Sequence, residues 1–368
     1  MRSAAKTERT PDHGSAPFPW RTEFAPCGIG QPVVIASGIR LYRNLHNVPF
    51  LELTGKTEQL SVAETLNRAL DQLPDFCDEP EFSPPYTRNG CACMVEQRLI
   101  TPEFAKMQFA GQTIRFSANC TESALINGGD HLTICNYGTG LALQPLWNRL
   151  NELDDALSRC LRFAFHPKYG YLSPDPEKAG TGLECMVILH LPGLALMDEI
   201  KPMLTAFLRL GLKCRGILEA ENKFPGNLYV ISNRSKMGET EAQLVARMEK
   251  TVSHIVDEEL GARERLFRKT PMKAEDFCYR SLAVLKYARM ISTVEALNAL
   301  SGLKLAQDSS IAQDLIPVAL PLWDELLLRV MPNHINAGFA EPEKVTKEQR
   351  SVSRAEYLRN AFERKTAS

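Results

Sequence analysis

Two periods of apolar residues run through the first two thirds of the chain, and only the helical one continues beyond it. Residues 33–43 are a strand-length apolar run punctuated by Gly38. Residues 61–73 carry Val62, Leu66, Ala69, Leu70 and Leu73 at helical spacing, with Ser61 placed as N-cap and Glu64 closing a capping box. Residues 75–90 form a proline-rich loop, and 114–120 and 132–137 read as strands joined through the Gly128-Gly129 turn region. A long amphipathic helix is expected over 143–165, a buried strand over 185–191 and a helix over 196–210. Strands are expected over 213–220 and 228–232, around a loop at Pro225-Gly226. The strongest helix is 241–266, where Leu244, Val245, Met248, Val252, Ile255, Val256 and Leu260 share one face. After Lys269 the strand signals stop, and 277–290, 293–300, 317–331 and 352–362 all read as helices.

Strands alternating with helices allow a parallel sheet, but the strand–turn–strand pairs favour an antiparallel or mixed sheet covered by helices. The 368 residues suffice for two domains. The expected division is a flexible tail over 1–30, an α+β domain over 31–268 and a helical domain over 269–368. No internal repeat or low-complexity segment interrupts this plan.

Composition narrows the function classes. A chain 44% hydrophobic and 24% charged, with a formal net charge of −1, is ordinary for a globular protein and offers no global basic field for nucleic acid or membrane. No apolar run reaches the roughly 18–20 residues that span a bilayer, and the polar first twenty residues lack an apolar signal core. The 10 cysteines are scattered through expected strands and helices, which favours reduced thiols and the cytosol. Cys91-x-Cys93, with Cys77 nearby, lacks the C-x-x-C pairs or histidines of a zinc site, so no metal is expected.

Six segments then carry a resemblance: Ala36 to Asn44 (ASGIRLYRN), Val95 to Pro102 (VEQRLITP), Asn127-Gly128-Gly129-Asp130-His131-Leu132, Gly180-Thr181-Gly182-Leu183, Gly226 to Asn233 (GNLYVISN) and Arg350-Ser351-Val352-Ser353-Arg354-Ala355. In this order they resemble the phosphagen (ATP:guanido) kinases, and most closely the bacterial protein-arginine kinases, over about residues 31–365. The resemblance implies an α+β fold of the phosphagen-kinase (glutamine-synthetase/guanido kinase) type: an antiparallel sheet flanked by helices, followed by a C-terminal helical domain. It also implies ATP with Mg as cosubstrate.

Guanidino phosphoryl transfer needs cations around a triphosphate, carboxylates on the guanidinium and, in this family, a thiolate beside it. The resemblance places Gly38 and Arg40 where the family carries two arginines. It places Thr133 and Glu184 at two further arginine positions, and Arg98 at a nucleotide-binding histidine. Gly128 and Gly129 stand for the paired acids, and Asp175 for the cysteine. Charge-assisted hydrogen bonds are worth about 1.5–3 kcal/mol each, so three absent cations remove on the order of 5–9 kcal/mol.

Two readings stand for several residues. Arg40 and Arg43 are either remnants of a phosphate site or strand-edge charges. His131 either caps its turn or takes part in catalysis. Asp175, Glu177 and Glu184 are either solvated acids or a pocket for a basic ligand, and Cys214 is either reactive or buried. Arg350 and Arg354, four apart on a helix, either read phosphoarginine or are surface charges.

The leading expectation is a kinase-like chain with most of its catalytic equipment lost. It would act by binding a phosphoarginine-bearing protein or a kinase partner, as a homodimer or as a heteromer with an active kinase. The alternative is a working kinase with a rebuilt site: Asp130, Asp175 or Glu221 on the guanidinium, and Arg40, Arg98, Arg215 or Lys236 on the phosphates.

Overall fold

The computed structural model describes residues 33–74, 76–77, 88–117, 122–218, 223–234, 238–309 and 323–363. The expected N-terminal tail and most of the proline-rich loop lie outside these residues, as do Glu221 and Lys236.

Ten strands are described: β1 (Val34–Arg43), β2 (Phe76–Cys77), β3 (Thr113–Ser117), β4 (Glu122–Ile126), β5 (Leu132–Thr139), β6 (Phe165–His166), β7 (Gly170–Tyr171), β8 (Leu183–His190), β9 (Leu212–Gly216) and β10 (Leu228–Asn233). Eight of them form one sheet in the order β2-β3-β4-β5-β1-β8-β10-β9, with every pairing antiparallel, and β6 pairs with β7 in a separate hairpin. Strand β1 lies between β5 and β8, so Arg40 and Arg43 are on a central strand and not at an edge.

Both faces of the sheet are covered, which explains why β1 is apolar without strict alternation. Ile39 and Leu41 face a core built with Ile134, Val187 and Ile231. Helices α1 (Lys56–Leu70), α4 (Leu143–Ser158) and α7 (Glu241–Lys269) supply its other wall through Leu66, Leu150 and Met248. On the opposite face Ala36, Tyr137, Met186 and Val230 join a second core. That core takes residues from α2 (Arg88–Glu96), α3 (Pro102–Lys106) and the C-terminal helices α8 (Pro271–Tyr287), α9 (Thr293–Gln307), α10 (Trp323–Arg329) and α12 (Lys347–Glu363). Among the described residues no helix is long and apolar enough to cross a membrane.

Several boundaries differ from expectation. Helix α1 starts at Lys56, where the Gly55 N–H donates to the Glu58 carboxylate at 2.9 Å, the half of a capping box that needs no N-cap side chain, and Ser61 lies inside the helix. Strand β4 was not expected, and the Gly128-Gly129 turn joins β4 to β5. Helix α4 stops at Ser158, and the chain then enters the β6–β7 hairpin. The helix expected over 196–210 is α6 (Ile200–Arg209), and a short helix not expected, α5 (Pro192–Leu196), precedes it, with Asp198 in the left-handed region (φ 60) between them. The helix expected over 317–331 is described from Trp323 onwards, and a further short helix, α11 (Pro332–Ala337), follows it.

Two polar joints tie the C-terminal helices to the rest of the fold, one at the sheet and one at the end of α2. At one, His190 Nε2 lies 2.8 Å from Ser301 Oγ, and Asn227 Nδ2 donates to the same hydroxyl at 3.0 Å. At the other, the Glu96 carboxylate accepts the Asn333 and His334 backbone N–H groups (3.0 and 3.2 Å) and meets His334 Nδ1 at 2.8 Å.

Candidate functional site

The site residues of β1 are set by its pleat. Gly38, Arg40 and Tyr42 point to one face, and their cross-strand partners fix what surrounds them. Gly38 pairs with Tyr137 and Met186, Arg40 with Cys135 and Glu184, and Tyr42 with Thr133.

Arg40 is buried, donating from Nε to the Tyr137 hydroxyl (3.1 Å) and from Nη1 to Glu184 Oε2 (3.3 Å). The Tyr42 hydroxyl donates to the same Glu184 oxygen at 2.8 Å. Burial alone would raise the Glu184 carboxyl, but Arg40, the Tyr42 hydrogen bond, Arg215 and Lys213 outweigh it and hold the group below the usual carboxylate range. Burial likewise opposes the charge on Arg40, yet Tyr137, Glu184 and Tyr42 lift it well above the ordinary arginine value. The acid that stands where the resemblance expects an arginine therefore neutralises Arg40 directly.

Arg98 and Arg215 belong to the same group of charges. Arg98 is buried, sits in a left-handed conformation (φ 65) and donates to the Ile217 carbonyl at 2.7 Å. Burial, then repulsion from Arg215 and Arg40, pulls its pKa down to about 9. Of the four expected phosphate contacts, Arg40 and Arg215 lie near enough to Arg98 to repel its charge, and Lys236 lies outside the described residues.

Arg43 serves the fold. It donates to both carboxylate oxygens of Asp154 (3.0 Å from Nε and 2.7 Å from Nη2), and its guanidinium lies 3.5 Å from the Tyr171 ring centroid.

The motif around the glycine pair is a scaffold. Asn44 holds it by donating to Asp130 Oδ1 (2.7 Å) and accepting the His131 N–H (2.9 Å). His131 Nδ1 accepts the Leu45 N–H at 3.0 Å, and Nε2 lies 3.1 Å from the Pro49 carbonyl, so a neutral ring protonated on Nε2 satisfies both. Burial also keeps its pKa below the ordinary histidine value. The two glycines are sterically required. A Cβ on Gly128 would stand 2.5 Å from Phe104 Cδ2, and Gly129 has φ +114. At Gly38, a Cβ would stand 2.6 Å from Tyr137 Cδ1. Aromatic rings fill the space at two positions where the resemblance expects charged side chains.

Asp130 and Asp175 meet through a residue not expected at the site. Asp130 is buried; its Oδ1 also accepts from Ser173 Oγ (2.7 Å), and its Oδ2 lies 3.6 Å from Lys178 Nζ. The same ammonium is 4.0 Å from Asp175 Oδ2 and 4.5 Å from the centroid of the Tyr42 ring. Lys178 ends the Asp175-Pro176-Glu177-Lys178 loop, and its position in that loop was the one signal for it. Glu177 pairs with Lys213. Tyr42 was legible only as the second residue after Arg40 on one strand face.

Arg350 and Arg354 lie on α12. Arg354 is buried and donates to the Val330 carbonyl (2.7 Å) and the Ile291 carbonyl (2.9 Å). Burial and repulsion from Arg350, partly offset by Glu96, draw its pKa down to about 10. Arg350 is half-buried, with Asn336 Oδ1 at 3.5 Å. Cys93 and Cys214 are packed thiols, each pushed up to about 12, chiefly by burial.

Comparison with known proteins agrees with this layout. Residues 86–262 match the ATP:guanido phosphotransferase C-terminal catalytic domain, and residues 271–368 match the C-terminal domain of the protein-arginine kinase McsB. A protein-arginine kinase of Halothermothrix orenii is 34% identical over 338 residues, covering 90% of this chain and 93% of the relative. One from Clostridium novyi is 31% identical over 334 residues, covering 90% and 95%. Among solved structures, the duplicated taurocyamine kinase of Schistosoma mansoni with bound transition-state-analogue components aligns with TM-score 0.57 at 22% identity, over 67% of this chain and 36% of that one. A lombricine kinase aligns with TM-score 0.54 at 18% identity, over 68% and 70%. These structures share the fold.

Proposed function

The chain belongs to the protein-arginine kinase family of ATP:guanido phosphotransferases, and from that premise we propose that it is a catalytically silent member that acts by binding protein. The observation that carries this reading is the Arg40–Glu184 pair. A carboxylate already sits on the buried arginine that a triphosphate would need, with Tyr42 donating to it as well. An incoming phosphate would have to displace that acid or bear its repulsion. The residues present therefore fit ATP with Mg poorly.

The guanidinium end supports the same reading. The acidic pair is Gly128-Gly129, Asp130 is engaged by Asn44, Ser173 and Lys178, and the thiolate position holds Asp175. The partner we infer is a protein of the same cytosolic setting, either one bearing phosphoarginine or an active kinase copy. Arg350 is the more accessible of the two helix arginines and the better candidate to meet a phosphate.

One observation favours the alternative of a rebuilt active site: Arg40 and Arg215 both lie near enough to Arg98 to lower its pKa by repulsion. Calorimetric titration with Mg-ATP, run beside a phosphorylation assay on an arginine-rich protein, decides between the two. The silent reading expects no heat at millimolar nucleotide and no phosphoarginine formed. Turnover that disappears in Arg40→Ala would overturn it.

A further inference from the structure

Lys178 stands in an unusual place for a loop lysine. Its side chain is 23% exposed, and its ammonium lies between Asp130, 1% exposed, and Asp175, 43% exposed. The Tyr42 ring supplies the third wall, at cation–π distance. Neither carboxylate is in ideal hydrogen-bond contact with the ammonium, at 3.6 and 4.0 Å. The loop that brings Lys178 here is fastened at its base: Ser173 Oγ donates to Asp130, the Asp175 N–H donates to Ser173 Oγ at 3.2 Å, and the Lys178 N–H donates to the Asp175 carbonyl at 3.0 Å. Two acids and an aromatic face are the elements that hold an organic cation, and the cation present is the chain's own.

We propose that Lys178 is an autoinhibitory plug: a tethered cation in the Asp130–Asp175–Tyr42 slot, whose removal opens that slot to the alkylguanidinium or alkylammonium side chain of another protein. The proposal rests on the reading that the site binds and does not transfer phosphate. It extends that reading by making the slot self-occupied. The competing role for Lys178 is that of a fixed counter-ion for buried Asp130, with no slot behind it. The two roles differ in what an added cation does once Lys178 is gone. A counter-ion lost from a closed site leaves only instability. A plug withdrawn from a slot leaves a vacancy that a free cation fills and stabilises by mass action.

The test compares the full-length wild type with Lys178→Ala, Lys178→Gln and Lys178→Arg, using N-acetyl-arginine methylamide as probe and its neutral citrulline counterpart as control. Titration calorimetry and thermal melting are read on every sample. The alanine and glutamine variants are expected to bind the arginine probe at least tenfold more tightly than wild type, and their melting temperatures rise with the probe but not with the citrulline control. Lys178→Arg keeps the slot filled and matches wild type. Lys178→Gln retains most of the stem against Tyr42 and gives the reading if the alanine variant folds poorly. Equal affinity in wild type and both uncharged variants, or no cation-dependent rise in melting temperature, overturns the plug. Phosphoryl transfer assayed on the same samples separates the two ideas. Turnover in the wild type would sink the silent reading, whereas the plug stands or falls on the difference in binding.

Discussion

Glu184 shows how much one side chain decides at the residue scale. A glutamate on a strand invites a reading as a solvated acid, yet here it is the partner of a buried arginine. Replacing it by glutamine leaves Arg40 without a counter-charge, and a broken buried pair is strongly destabilising. Because the Glu184 side chain is 21% exposed, the expected loss is about 2–4 kcal/mol, toward the low side of that effect, measured by urea unfolding at neutral pH. The pH dependence follows from the lowered carboxyl. Its contribution is full above the unfolded glutamate value of about 4.3 and disappears as pH falls through the lower folded value. Glu184→Gln is expected to lose that part of the acid limb. The identities of Gly38, Gly128, Thr133 and Asp175 were legible in the sequence, and so was the scaffold of Asn127, Asp130 and His131. What each residue touches was not. Strand register alone places Glu184 opposite Arg40, and a loop path alone brings Lys178 to Asp130.

At the scale of elements, periodicity carried most of the information. The helices α7, α9 and α12 and the strands β1, β8 and β10 follow from apolar spacing. Strand β4 escaped because it is five residues long and reads Glu-Ser-Ala-Leu-Ile, too short and too polar at its start to show alternation. The start of α1 escaped because its cap is a glycine that works through backbone N–H. The short helix α11 depends on a distant residue. Glu96 accepts from the Asn333 backbone and side chain and from the His334 backbone and ring, anchoring α11 to the end of α2. Glu96→Ala is expected to cost about 1–3 kcal/mol, since it strands these donors. Hydrogen exchange should report it as faster loss of protection at Asn333 and His334 than across the sheet. Equal exchange in both proteins would argue that the anchor is dispensable.

At the scale of the whole molecule, the sheet and the C-terminal helices meet around His190. Burial, then Arg263 and Lys304, holds its pKa well below the ordinary histidine value, so the folded ring stays neutral where the unfolded one takes up a proton. Below about pH 6.5 the unfolded state therefore binds more protons and stability falls with pH, by up to about 1.4 kcal/mol per unit. Urea unfolding at pH 7.5 and 5.5 is expected to show about 1 kcal/mol more loss in wild type than in His190→Gln. The aromatic rings over Gly38 and Gly128 have a consequence for lineage. A single codon change that put an arginine or an acid at either position would meet Tyr137 or Phe104 before it met any substrate. A charge there therefore needs a companion substitution that shrinks or turns the ring, so the two positions can change only in pairs with their aromatic neighbours.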